Sequence, residues 1–405
     1  MSSSHSALIQ SQFLILELLA KGKNPKAIAQ FSRDLISNIY PTEGENAPPG
    51  SELGLSVNDV CNLRCGHCYY SSTHQAGSKE SKETNVLDLR DWKKVLDQAL
   101  PLGFCHISIV GKEPLLSPDI TFGIFSHLEE KRGEFQDIRL ELITNGTLIA
   151  CNKERLAELP QMDFFSVSLD GYREDHDSIR GKGMYQKSLE GLRIAADIGV
   201  RNLTVITTAM PQNIGSLERM MEDIADRGVE YLTIGFCFET AYNNPSLVAN
   251  SQVFYEVLKK VRGAPKGLDI TLGLTGSDHA NLIADLFRTG FIQKGHLAVT
   301  EDLAPALIIP LNDDPRTAVQ IAMLPMMFYE GFRIDYNGAV IDFCEDLRKP
   351  ETKAGFGNVK KYSVLQSYQT AKALWPSYTE RYYERFAAAF RSEPLSNLKA
   401  WYDHK

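Results

Sequence analysis

From residue 52 onward, short apolar and β-branched runs recur at Leu53–Val57, His106–Val110, Ile138–Ile143, Phe164–Leu169, Leu203–Thr207 and Tyr231–Phe236. Between them lie stretches with helical periodicity, at about 89–100, 119–132, 152–159, 185–198, 215–227 and 251–262. Strand alternating with helix, roughly thirty residues per unit, predicts right-handed βαβ units on a parallel sheet. Six units fall short of the eight that close a barrel. The expected fold is therefore α/β, a partial (β/α)6 TIM-like barrel over residues 51–262.

The flanks read differently. Residues 6–20 and 26–40 have amphipathic helical patterns, and Asn24-Pro25 supplies an N-cap and a first-turn proline for the second. The polar stretch Pro41 to Ser51 reads as a linker, so residues 1–50 form an N-terminal helical extension, expected to cap the main domain. Beyond 262 the repeat decays into a small α+β region over 263–405: 278–296 partly helical, 301–320 irregular. Phe332–Asp342 then reads as a hairpin about Asn337-Gly338, followed by aromatic-rich helices near 363–374 and 377–391.

Composition narrows the function classes. With 405 residues, 43% hydrophobic and 23% charged, the chain makes one elaborated domain or two. A net charge of −8 argues against a nucleic-acid partner, which leans on clustered Lys and Arg. Seven cysteines, three of them crowded together, are not a disulfide framework, and the expectation is a reducing cytoplasm. The apolar run Phe13–Leu19 is short and interrupted by Glu17, so it reads neither as a signal peptide nor as a membrane span.

The crowded thiols are Cys61, Cys65 and Cys68, in Cys61-Asn62-Leu63-Arg64-Cys65-Gly66-His67-Cys68, directly after the first strand. Thiolates suit zinc or an iron–sulfur cluster. A structural zinc site closes with a fourth Cys or His, whereas a site that does chemistry keeps one position open. Three cysteines with no fourth point to a cluster with one iron left for a small-molecule ligand. Other polar motifs end later strands: Gly111-Lys112-Glu113-Pro114, Thr144-Asn145-Gly146, Ser168-Leu169-Asp170-Gly171 and Gly235–Glu239. In parallel α/β folds functional groups gather at those ends.

These motifs resemble the radical S-adenosylmethionine (SAM) enzymes. Cys61-x3-Cys65-x2-Cys68 matches that family's signature, and Gly111-Lys112-Glu113-Pro114 is similar to its Gly-Gly-Glu-Pro motif, with Lys112 in place of the second glycine. Ser168–Gly171, His176 and Ile179-Arg180-Gly181 resemble the peptide-modifying, SPASM/twitch-type members. The resemblance covers about residues 52–262. It implies one [4Fe–4S] cluster on Cys61, Cys65 and Cys68, with SAM on the open iron and reductive cleavage to a 5′-deoxyadenosyl radical that takes a hydrogen atom from substrate. It places His67 against the adenine, Gly111, Lys112 and Glu113 at the SAM amino group, and Ser168 and Arg180 at the ribose and carboxylate. Asn145 is a further cofactor-side candidate, equally readable as a turn residue, as is Asp170. A reductant such as flavodoxin or ferredoxin is the implied electron source.

The remaining cysteines divide. Cys105 and Cys151 read as packing residues. Cys237 and Cys344 are candidate hydrogen-atom donors, the alternative being small buried hydrophobes. No cysteine follows Cys344, so an auxiliary cluster is not expected and the C-terminal region reads as a truncated twitch. Glu239, Asp335, Asp342, Glu345 and Asp346 read as a solvated rim, or as a site for a cationic substrate. The expected substrate is a ribosomally made peptide; the alternative is a small molecule such as a sugar, nucleoside or amino-acid derivative. A non-catalytic zinc module on the three cysteines and His67 is the remote rival.

Overall fold

The computed structural model describes residues 3–39, 51–68, 75–76, 85–135, 137–159, 162–240, 243–293, 297–299, 305–311, 317–322, 332–342 and 355–392. The expected linker falls outside them apart from Ser51, as do Cys344, Glu345 and Asp346. Two helices come first, α1 (Ser3–Ala20) and α2 (Pro25–Ile39), and the side chain of Asn24 caps the second through Lys26 N–H at 3.0 Å.

The six expected strands are present: β1 (Ser51–Leu55), β2 (Phe104–Ile109), β3 (Arg139–Thr144), β4 (Phe164–Ser168), β5 (Leu203–Ala209) and β6 (Tyr231–Phe236). Each pairs in parallel with the next. Between and after them run α3 (Leu89–Ala99), α4 (Pro118–Lys131), α5 (Lys153–Ala157), α6 (Arg173–Arg180), α7 (Met184–Asp197), α8 (Leu217–Ala225) and α9 (Ser251–Val261). Alternation on the strands explains the layering. Ile107, Leu140, Leu142, Phe165, Val205 and Ile234 are fully buried beneath the helices, with Trp92, Phe125, Leu192 and Phe254 against them. The opposite strand face carries Ser108, Glu141 and Ser166, and Glu141 accepts hydrogen bonds from both hydroxyls, Ser108 at 2.8 Å and Ser166 at 3.4 Å.

The sheet runs on past residue 262, which corrects the reading of decay there. β7 (Asp269–Thr275) pairs in parallel with β6 and leads to α10 (Ala280–Arg288). The stretch expected to be irregular forms antiparallel β9 (Pro305–Pro310) and β10 (Thr317–Ala322), with β8 (Leu297–Val299) beside β9, and β10 lies parallel to β7. At the other edge, the expected hairpin is β11 (Phe332–Ile334) and β12 (Ala339–Asp342), turning at Asn337-Gly338 with Gly338 at φ 86°. β11 lies parallel to β1, and β13 (Gly357–Asn358) pairs with β12. Among the described residues this is one 13-stranded sheet in the order β8-β9-β10-β7-β6-β5-β4-β3-β2-β1-β11-β12-β13, curved but not closed.

The two aromatic-rich helices are one, α11 (Val364–Arg391), with Pro376 inside it and Ser363 as N-cap in a capping box with Gln366. Pro376 falls between the two helices expected, where a proline removes a backbone hydrogen bond. Arg33 of α2 reaches the helix at and just after the proline, donating to Pro376 O at 3.1 Å and Thr379 Oγ1 at 2.6 Å. α11 packs on α1, α2, α3 and α10. The N-terminal pair thus rests on the C-terminal helix, where Tyr383 O–H donates to buried Ser32 Oγ at 3.0 Å. Among the described residues no helix is long and apolar enough to cross a membrane.

Candidate active site

A cavity of about 350 Å³ opens at the carboxyl ends of the parallel strands. The loop after β1 contributes Cys61, Cys65, His67 and Cys68; the loops after β2 and β3 contribute Gly111, Lys112 and Asn145. Ser168 ends β4, Arg180 ends α6, Thr208 lies on β5, and Cys237 follows β6. The expected cysteine and cofactor-side residues therefore meet at one place. Glu113, also expected there, stands behind the wall.

The cysteine loop is braced from three sides. Gly66 N–H donates to Ile179 O at 2.9 Å, tying it to α6. Glu113 N–H donates to Val60 O at 3.1 Å, tying it to the loop after β2. Asn145 Nδ2 donates to Asn62 Oδ1 at 2.9 Å, while Asn62 Nδ2 donates to Thr147 Oγ1 at 2.9 Å. Asn145 is therefore a brace within the site as well as a turn residue. Asn62 and Thr147 were missed, since an asparagine and a threonine in loops carry no pattern of their own.

Glu113 is fully buried. Its carboxylate accepts from Thr144 Oγ1 at 2.7 Å, Asn145 N–H at 2.9 Å and Leu115 N–H at 3.0 Å. Burial pushes its pKa up and these three donors oppose the rise. This burial excludes the alternative that Lys112-Glu113 is merely an exposed ion pair on the surface. Lys112 does not reach outward either: its Nζ lies 2.9 Å from Asp335 Oδ1, with its side chain 1% exposed. Asp335 is accordingly buried behind the wall, paired with Lys112, rather than part of a solvated rim, whereas Glu239 is exposed.

Asp170 organises the opposite wall. Fully buried, it accepts from Arg180 Nε at 2.6 Å and Thr208 N–H at 2.9 Å, with His67 Nε2 3.6 Å away. Burial alone would raise its pKa, but the Arg180 guanidinium and these donors hold it at about 2. His176 Nδ1 accepts Asp170 N–H at 3.1 Å, which fixes the His176 tautomer. Burial lowers the pKa of His67, so its ring stays neutral.

The donor set can be tested for fit. Burial and the Glu113 charge push the Cys61 thiol up to about 12, and burial pushes Cys65 to about 11 against the pull of Arg180. Such thiols need a metal to displace their protons. Among the described residues no group of three or more His, Cys, Asp and Glu side chains closes on a single ion. The three thiols instead stand around a shared cavity, as suits a multi-iron cluster taking one thiolate per iron. His67 Nδ1 is buried without a hydrogen-bond partner, an acceptor left for a ligand. The residues fit a cluster with a bound small molecule.

Phe236 and Phe238 of the expected Gly235–Glu239 motif line the rim beyond Cys237; Thr240, Asn243 and His279 after β7, which line it with them, were not foreseen. His279 Nε2 lies 3.0 Å from Phe236 O, and its ring stands edge-on to Phe236 and Phe238. Recognising β7 as a strand would have put His279 at a strand end. Cys105 is partly buried on β2, but Cys151 is exposed, so it is not a packing residue.

Residues 55–224 match the family described as the Radical SAM superfamily. A GTP 3′,8-cyclase 1 of Mycobacterium tuberculosis is 28% identical over 207 residues, covering 49% of this chain and 56% of that protein. The antilisterial bacteriocin subtilosin biosynthesis protein AlbA of Bacillus subtilis is 24% identical over 209 residues, 51% of this chain and 44% of the other. The chain thus spans about half the length of the curated relatives it matches. Among solved structures, Streptococcus suis SuiB bound to precursor peptide SuiA overlays with a TM-score of 0.55 at 16% identity, covering 91% of this chain and 73% of that one. That likeness is one of fold.

Proposed function

We propose that this chain, whose residues 55–224 match the Radical SAM superfamily, is a radical SAM enzyme that initiates hydrogen-atom abstraction from a peptide substrate. The supporting observation is the convergence of Cys61, Cys65, Cys68, Lys112, Asn145, Ser168 and Arg180 on one cavity at the strand ends. When bound there, a [4Fe–4S] cluster and SAM supply reductive cleavage to a 5′-deoxyadenosyl radical, with an electron from a donor such as flavodoxin or ferredoxin. The three thiols hold the cluster. Arg180, oriented by Asp170 at 2.6 Å, presents a fixed positive charge suited to the SAM carboxylate. His67 Nδ1 offers an acceptor toward the adenine. Phe236 and Phe238 shield the far end from water.

A cavity of about 350 Å³ lies at the small end of ligand pockets. A cluster and SAM together would take up that space, and a substrate then approaches across the rim at Phe238, Thr240 and Asn243. That suits a peptide segment laid over the mouth, the kind of molecule to which SuiB is bound in its complex with precursor peptide SuiA. A small-molecule substrate is the second reading, favoured by the likeness to the GTP 3′,8-cyclase.

Anaerobically reconstituted, reduced protein mixed with SAM is expected to form 5′-deoxyadenosine, and Cys61→Ala, Cys65→Ala and Cys68→Ala each to abolish it. Failure of fully iron-loaded wild-type protein to form it overturns the reading. Transfer of deuterium into 5′-deoxyadenosine from a labelled peptide library, rather than from labelled nucleotides or sugars, decides the substrate.

A further inference from the structure

Lys112 stands where the family pattern has glycine, and its backbone shows why glycine suits the place. Its φ is 49°, directly after Gly111 at 78°. A left-handed backbone strains a residue with a Cβ, and burying an ammonium adds to that cost. Something must offset both.

The offset lies in the hairpin turn. Lys112 Nζ sits 2.9 Å from Asp335 Oδ1 and 4.5 Å from the centre of the Tyr336 ring, combining a buried ion pair with a cation–π contact. Burial pulls the ammonium pKa down to about 8 while the Asp335 charge holds it up, so it is charged at neutral pH. The partners are 223 residues apart in sequence.

The hairpin is itself fixed. β11 pairs with β1 from Leu53 to Leu55, and Ser56 N–H donates to Ile334 O at 3.0 Å. Tyr336 O accepts Leu87 N–H at 2.7 Å. On its other side Lys112 adjoins Glu113, whose backbone holds the cysteine loop through Val60 and Asn58. Lys112 is thus a strut from the C-terminal hairpin to the cavity wall it lines.

We propose that Lys112 is a positioning residue: held by Asp335 and Tyr336, it ties the SAM-binding loop to the C-terminal hairpin and thereby sets the affinity for SAM. This rests on the SAM reading above. It makes the hairpin part of the cofactor site, so that whatever engages the hairpin also adjusts the grip on SAM.

Equilibrium dialysis of SAM against reconstituted, unreduced protein tests it without turnover, alongside iron content and melting temperature. Asp335→Asn and Lys112→Gly are each expected to weaken SAM binding about tenfold while iron content stays at the wild-type level. Because both cut one link, the double variant is expected to bind no more weakly than the weaker single. Lys112→Gly suits the left-handed backbone and decides the matter if Asp335→Asn does not hold iron. Wild-type SAM affinity in Lys112→Gly overturns the proposal, as does multiplication of the two losses to about a hundredfold. If wild-type protein itself binds no SAM, the functional reading fails instead.

Discussion

Glu113 and Asn145 are joined across 32 residues: the Oε2 of the buried carboxylate accepts the Asn145 backbone N–H at 2.9 Å. That bond locks the turn after β3 to the loop after β2, and Asn145 in turn holds Asn62 inside the cysteine loop at 2.9 Å. Glu113→Gln replaces an acceptor oxygen by an amide N–H₂ and sets donor against donor at one of three buried bonds. A loss of about 2 kcal/mol is expected, measured by urea denaturation, with reduced iron retention after gel filtration. Wild-type stability would show that the carboxylate does not hold this junction.

Gly191 of α7 approaches the same turn from behind. A Cβ there would sit 2.3 Å from the Gly146 carbonyl oxygen, and Ser188 Oγ, one turn earlier on that helix, donates to Asn145 O at 2.7 Å. Gly191→Ala must push α7 off the turn, since a backbone carbonyl cannot swing aside. The expected cost is about 1–3 kcal/mol, and it should fall on iron retention as well as on melting temperature. A stable variant that still loses iron would localise the effect to the Asn145 turn; one unchanged in both would refute the close approach.

How far the sequence discloses all this depends on the length scale of each signal. The six βα units were readable because burial on one strand face and one helix stripe imposes local periods, and the cysteine loop because its spacing is local. β7 escaped although Asp269–Thr275 alternates polar with apolar as a strand does, because Gly273 within it carries a turn signal. With β7 unread, His279 had no strand to end. Pro376 marks a boundary by local rules, whereas the packing that carries the helix through it includes Arg33, 343 residues away. The Lys112–Asp335 pair is of the same kind. Each residue is unremarkable where it stands, and only the parallel docking of β11 on β1 brings them together.

Glu52 gives the barrel interior a pH signature. Burial and the Glu141 carboxylate push its pKa from 4.5 to about 8, with the Ser108 hydroxyl opposing. Between those values the folded protein keeps a proton that the unfolded chain has lost. Glu52 therefore subtracts stability as pH rises through about 4.5 to 8, and subtracts nothing below that window. Glu52→Gln mimics the protonated form. It is expected to add about 2 kcal/mol at pH 8, less than the full shift implies because Glu52 keeps some solvent exposure, and next to nothing near pH 4.5. Parallel stability-versus-pH curves for wild type and variant would sink the assignment.

Cys237 carries the remaining chemical question at the rim. Its N–H donates to Ala209 O at 3.0 Å, and its Sγ accepts from Asn243 Nδ2 at 3.5 Å and packs with Ile179 and Met210. Burial pushes the thiol up to about 11, so at neutral pH it bears hydrogen rather than charge. Such a group suits hydrogen-atom return better than nucleophilic attack. In that role the S–H bond breaks as a C–H bond forms on the substrate radical. The sulfur radical then takes one electron from the external reductant and one proton from solvent. Because thiol protons exchange with water, product formed in D₂O should carry one deuterium at the attacked carbon. Cys237→Ala is expected to keep 5′-deoxyadenosine formation while losing that deuterium, read by mass spectrometry. Should the label persist at full turnover in Cys237→Ala and vanish in Cys344→Ala, the donor is Cys344 and Cys237 serves only to pack the rim.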